Sequence, residues 1–246
     1  MRITKIICYL LFLVCMTGCN SYHPADKEVE EFPVIFPDYA AVTFPSNIAP
    51  PNFVIQEEGE GFQTEMGIVG ENTMFTIHSD EPLVTISPKD WTALLEKAVG
   101  KEIFFRITVL QEQQWVRYAD IQNQISRYPI DGYLAYRLLY PGYELWNEMG
   151  IYQRNLENFD EFAILKNTQA DRNCMNCHSF CVQDPEKMMF HLRAKHAGTM
   201  LVNGDEMKKL DTKTEHTISA LVYPYWHPSG KYIVFSVNDT KQLFHT

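Results

Sequence analysis

Apolar and polar positions alternate in short runs over residues 53–127. "FVIQ", "MFTIHS", "LVTIS", "IFFRITVL" and "WVRYADI" are rich in β-branched and aromatic side chains, and Gly, Pro, Asn, Asp or Gln clusters separate most of them. That pattern predicts short strands. One stretch breaks the period. Ser87-Pro88-Lys89-Asp90 supplies an N-cap, a proline at the first helical position and an acid in the first turn. Trp91, Leu94, Leu95 and Ala98 then follow at helical spacing before Gly100. A single helix is predicted there. The expected architecture for 53–127 is a β-sandwich-like domain with one helical crossover.

The flanks differ. Residues 19–52 hold Pro24, Pro33, Pro37, Pro45, Pro50 and Pro51 and the charge run "DKEVEE". Prolines at this density block helix and interrupt sheet ladders, so the segment reads as a tether ending in an extended edge. Residues 128–200 form an aromatic-rich connecting segment, with Arg137 and Arg154 between aromatics. A helix is expected around Glu144 to Phe159, and an irregular or helical stretch farther on, at 171–200. In 201–246, "ALVYPYWHPSGKYIVFSVN" contains two strand-type runs around the turn Pro228-Ser229-Gly230-Lys231. The whole chain is expected to be mainly β with some α.

The N-terminus bears on compartment. Arg2 and Lys5 precede an uncharged, mostly apolar run from Ile6 to Thr17, which ends in Met16-Thr17-Gly18-Cys19. The run is too short to span a bilayer but suits a signal-peptide core. Small residues before a cysteine resemble the lipobox of bacterial lipoproteins, with Met16 where Leu is usual. The resemblance implies cleavage after residue 18, lipidation of Cys19 and a membrane anchor of acyl chains. The expected location is the cell envelope, outside the cytoplasm. Of six cysteines, Cys8 and Cys15 leave with residues 1–18 and Cys19 is consumed by lipid. The remaining thiols are Cys174, Cys177 and Cys181. Loss of Arg2 and Lys5 moves the net charge from −10 to −12. An acidic chain without a basic stripe argues against a nucleic-acid partner.

Those three thiols lie in "RNCMNCHSFC". Cys174-Met175-Asn176-Cys177-His178 is C-x-x-C-H, the attachment pattern of c-type haem. Two thiols at this spacing reach the two vinyl groups as thioethers, and the adjacent His178 supplies the proximal iron ligand. Met188, Met189, His191 and His196 are distal-ligand candidates. Zinc fits the same region. Cys174, Cys177, His191 and His196 satisfy C-x2-C…H-x4-H, with His178 and Cys181 as substitute donors. A disulfide among the three cysteines is the third reading, and it leaves one thiol over. Haem is the leading reading because export and motif agree. No G-x-S-x-G or H-E-x-x-H occurs, so a hydrolytic enzyme has little support.

The segment "WHPSGKYIVFS" resembles the repeat of TolB-like β-propellers. Together with "PIDGYLAYRLLYPGYELWNEMGIYQRNLENF", "NCMNCHSF" and "FHLRAKHAGT", it resembles a Bacteroidetes envelope lipoprotein family. That family joins a β-rich N-terminal domain, a C-x-x-C-H segment and a TolB-like propeller. The resemblance implies that 201–246 is a first, incomplete propeller repeat, with the chain stopping soon after it. The expected role is electron transfer or redox sensing with a redox partner. The alternative is a non-enzymatic scaffold whose aromatic surface binds a protein or glycan.

Overall fold

The computed structural model describes residues 22–139 and 149–237. The signal segment, Cys19, residues 144–148 of the expected helix and everything after 237 lie outside the described residues. The chain is mainly β with one α-helix among the described residues, and none of its sheets is closed. No helix among the described residues is long and apolar enough to cross a membrane. Two compact units form. The first runs to Gly132 and adds Leu156–Asn158; the second comprises Tyr133–Asn155 and the chain from Phe159 onward.

The segment read as a tether is built into the first unit. Its strands β1 (Lys27–Glu28), β2 (Ile35–Phe36) and β3 (Thr43–Phe44) pair with β9 (Gln114–Arg117), β4 (Phe53–Ile55) and β10 (Ile121–Ile125) respectively. Pro33, Pro37 and Pro45 flank β2 and β3, whose pairings span two residues each, yet Ile35 and Phe44 are buried in the core. Ladder bonds and apolar burial outweigh the breaks that proline imposes.

The main sheet centres on β8 (Glu102–Gln111). Along one edge it pairs with β5 (Gly61–Ile68), which in turn pairs with β6 (Thr73–Ser79). Along the other edge, β10 takes Glu102–Phe105 and β9 takes Thr108–Gln111. A second sheet joins β2, β4 and β7 (Leu83–Val84). Helix α1 (Pro88–Ala98) starts with proline, as predicted, and buries Trp91, Leu94, Leu95 and Ala98. Ser87 contributes its carbonyl, which accepts from Trp91 N–H at 2.9 Å, rather than a side-chain cap. Gly100 then adopts φ +74°, where a side chain would be strained.

Strand β5 has no alternation to betray it, because all eight residues are buried. Gln63 and Glu65 find partners, whereas the buried Thr64 hydroxyl has none among the described residues. Gln63 exchanges two hydrogen bonds with the backbone of His23, and Glu65 accepts from the Thr73 hydroxyl at 3.1 Å. His23 stacks on Trp115 at 4.5 Å and meets His78 edge-on at 6.0 Å. Burial, and then His23, push the His78 pKa below its ordinary 6.5, while Glu65 opposes the shift. His78 is therefore preferentially neutral in the fold. Stability is fully present above about pH 6.5 and declines as pH falls through that value toward the folded pKa. A thermal melt of the first unit's signal should drop between pH 7.5 and 5.5. His78→Gln should flatten part of that drop, and an unchanged pH dependence would count against the assignment.

The second unit is a run of hairpins. β11 (Tyr133–Leu139), β12 (Met149–Asn155) and β13 (Glu161–Lys166) form one antiparallel sheet. The expected helix is therefore absent from 149–159, where β12 is flanked by partners that complete its ladder. Tyr136 stacks on its register partner Tyr152 at 6.2 Å. β14 (Met175–Cys181), β15 (Asp184–Leu192), β16 (Gly198–Asn203) and β17 (Glu206–Leu210) form a second sheet. The C-x-x-C-H segment, expected to be irregular or helical, is thus mostly strand. The cause is the two-residue turn Val182-Gln183, with φ of 50° and 64°. It folds β14 directly back on β15 in the type I′ sense.

β18 (Val222–Trp226) and β19 (Ile233–Ser236) form the predicted hairpin around Pro228–Lys231. The hairpin packs on the preceding sheet. Trp226 is buried with Cys181 and Met189, and its indole N–H donates to the Ser179 carbonyl at 3.2 Å. Lys187 donates to the Gly230 carbonyl at 2.8 Å.

Candidate functional site

The C-x-x-C-H motif begins just before β14 and ends within it. The Cys174 carbonyl accepts from Arg193 N–H at 2.9 Å, and Met175 N–H points at the Met149 sulfur at 3.5 Å. Asn176 pairs with His191 and Ser179 pairs with Met189, so Cys177 and His178 together oppose the single residue Phe190. This is a β-bulge. Its first residue, Cys177, lies at φ +54°, and the Asn176 side chain accepts from the Cys177 N–H at 2.8 Å. A bulge re-aims side chains that strict alternation would send to opposite faces.

Two apolar clusters mark the two faces of this sheet. Met175, Met188 and Phe190 belong to the first, with Cys174, Phe180 and Leu192 packed against it. Cys181, Met189 and Trp226 form the second, with Leu201, Ile233 and Phe235. Opposite Phe190, Cys177 and His178 belong with the first face. His178 meets Phe180 edge-on at 6.3 Å. Burial lowers the His178 pKa, a hydrogen bond to the Ala135 backbone opposes that, and Arg137 adds to the lowering.

The distal candidates separate. Met188 shares the face of Cys174 and His178. Met189 and His191 lie on the other face, where His191 is 5% exposed and sits 6.0 Å from the Phe235 ring. His196 lies in a short 3-10 turn, Ala194–His196, and its Nε2 is 2.9 Å from Asp171. The zinc set Cys174, Cys177, His191 and His196 is therefore not gathered. Among the described residues no three His, Cys, Asp or Glu side chains are grouped to hold a metal ion. Cys174, Cys177 and Cys181 are all free thiols.

The residue types around the motif fit covalent haem, with two thiols and an imidazole within five residues. Enclosure is a different matter. A cavity of about 210 Å³ beside Leu138, Met149 and Tyr152 is not lined by Cys174, Cys177 or His178. It is also smaller than pockets that enclose organic ligands, roughly 300–1,000 Å³. A haem carried here would be largely exposed or would displace side chains of the first cluster.

A larger cavity, about 830 Å³, opens beside His191, Thr199 and Thr212. The C-x2-C…H-x4-H spacing points to His191 but to neither threonine. No local signal could have found them, since Thr199 meets His191 only through the observed pairing register. No protein-family model matches the chain, and no curated protein or solved structure matches it either.

Proposed function

We propose that the protein is a cell-envelope lipoprotein that carries one covalently attached c-type haem and serves electron transfer or redox sensing. The observation that carries the reading is the C-x-x-C-H motif, with both of its cysteines free and a bulge that sets Cys177 and His178 opposite one residue. Each thiol would add across a vinyl group, its proton and sulfur both joining the former double bond, so no oxidant is consumed. His178 would supply the proximal nitrogen. Met188, on the same face, is the distal candidate in best position. When bound, the haem would supply the one-electron chemistry. The protein's own part is to fix the two sulfurs and to set the imidazole through Ala135 and Arg137.

The test is expression with the native leader in a host that matures c-type cytochromes. A pyridine haemochrome spectrum of the denatured protein should show one covalent haem per chain. Stoichiometric zinc without covalent haem would defeat the reading. Anchoring rests on Cys19. Cys19→Ser should move the protein from the membrane fraction to the soluble one, and unchanged fractionation would remove the lipid anchor from the proposal.

The β-sandwich-like reading of the first unit draws support from a core shared by its two sheets and α1. The propeller-repeat reading of 201–246 draws support from the β18–β19 hairpin. That hairpin also favours a second reading, a non-enzymatic binding lipoprotein. Tyr223, Tyr225 and Tyr232 on it are each more than 60% exposed, an aromatic surface suited to a protein or glycan partner.

A further inference from the structure

Residues 22–31 run along the free edge of β9, and none of them is buried; the first buried residue after them is Pro33. Their hold on the first unit is polar. His23 N–H donates to the Gln63 side chain at 2.8 Å, and Gln63 Nε2 donates to the His23 carbonyl at 3.1 Å. Asp26 N–H donates to the Trp115 carbonyl at 2.8 Å, and the Asp26 carboxylate accepts from Trp115 N–H at 2.8 Å. β1 adds a two-residue parallel pairing with β9, and Val29 N–H donates to the Arg117 carbonyl at 2.9 Å. Beneath them Gln63 is 1% exposed. A segment held by hydrogen bonds without burial of its own side chains opens at lower cost than the core it lies on.

The one side-chain ring in this contact is an imidazole that faces another. His23 stacks on Trp115 at 4.5 Å with rings 14° apart, and meets His78 of β6 edge-on at 6.0 Å. The charged groups around the pair leave little to neutralise it. From β5, Glu65 faces His78, but it is buried and already accepts from the Thr73 hydroxyl. From β8, Arg106 lies opposite Glu65 in register and is held by two hydrogen bonds to Asp120, with Tyr22 nearby. From β9, Arg117 is paired with Glu28, and the Asp26 carboxylate is taken by Trp115 N–H. One carboxylate therefore serves two imidazoles. Burial, and then His23, lower the His78 pKa below its ordinary 6.5 against the pull of Glu65. Opening removes both causes, so the open form binds the proton more tightly and gains as pH falls below about 6.5.

We propose that residues 22–31 form an acid-released strap whose latch is the His23–His78 contact. At neutral pH the strap is closed over Gln63 and Trp115. Once both rings carry protons, two cations face each other at 6.0 Å and repel, and the strap lifts. Release uncovers Trp115 and frees the β9 edge, a row of backbone groups open to pairing with another chain. It also changes reach. The strap begins three residues after Cys19, so on the lipid-anchor reading its ten residues let out up to about 33 Å of tether. That last consequence rests on the anchor; the latch does not.

Hydrogen–deuterium exchange of the full mature chain at pH 7.5 and 5.5, corrected for the pH dependence of amide chemistry, tests this. Protection of the amides of His23, Asp26 and Val29 should fall at least tenfold at the lower pH, while β8 keeps its protection. His78→Gln removes one of the two charges, and His23→Phe keeps a ring on Trp115 without a charge. Each should hold the strap closed at pH 5.5, and agreement between them guards against a fault of folding in either. Cys19→Ser should release as the parent does, which separates the latch from the anchor reading. Equal strap protection at both pH values, an equal loss in β8, release that persists in both histidine variants, or release confined to the lipidated chain would each overturn the proposal.

Discussion

Serine at both Cys174 and Cys177 is expected to take covalent haem from one equivalent per chain to none. Serine hydroxyls do not form thioethers, so whatever haem His178 retains would be extracted on denaturation. Each single serine variant should keep at most one thioether and show a shifted haemochrome band. Cys181→Ser is the informative control. Cys181 lies among Met189 and Trp226 on the other face of the sheet, away from the motif's packing cluster. Its replacement should leave attachment intact. Attachment that survives the double variant, or that requires Cys181, would sink the assignment. The strand conformation makes this test demanding, because the motif is held in a ladder between β14 and β15 rather than in a free loop. Maturation before the ladder closes would meet no such constraint.

Phe105→Ala is expected to have the largest effect on stability. Phe105 is fully buried and stacks on Phe53 at 5.8 Å with rings 12° apart. It also lies 6.4 Å from Phe44, which meets Trp91 of α1 edge-on at 5.7 Å. One ring thus contacts both sheets of the first unit and, through Phe44, its helix. Deleting a buried Phe costs about 3–5 kcal/mol. Domains of this size have only about 5–15 kcal/mol in total. A fall in melting temperature of roughly 12–20 °C follows for a unit near 100 residues. Tyr225→Ala, at a 75% exposed position, should change stability by no more than about 0.5 kcal/mol. Comparable melting of Phe105→Ala and the parent would contradict the core described above.

Strands rich in β-branched and aromatic residues were legible from their residues. "FVIQ", "MFTIHS" and "IFFRITVL" became β4, β6 and β8, and the Pro88 start and Gly100 stop of α1 stand where expected. β5 was not legible, because "GFQTEMGI" buries Gln63, Thr64 and Glu65 in a run with few β-branched residues, and the His23 backbone that satisfies Gln63 is remote in sequence. The turns were harder. Glu112-Gln113 and Val182-Gln183 adopt left-handed backbone in two-residue hairpins without the Asn-Gly signal that announces such turns. Missing the second of these is what left the C-x-x-C-H segment without a strand assignment.

The residues alone determined the chemical options at this site. Two thiols separated by two residues, beside an imidazole, name haem, zinc or disulfide whatever the fold. Only tertiary structure decided which donors keep company. Pairing register and one bulge put Cys177 and His178 on one face of a sheet, His191 on the other, and His196 beside Asp171. The register also brought Thr199 and Thr212 to His191 at the edge of a cavity that no local pattern contains. Residue type is a local property, whereas the face on which a side chain emerges changes with a one-residue slip in pairing.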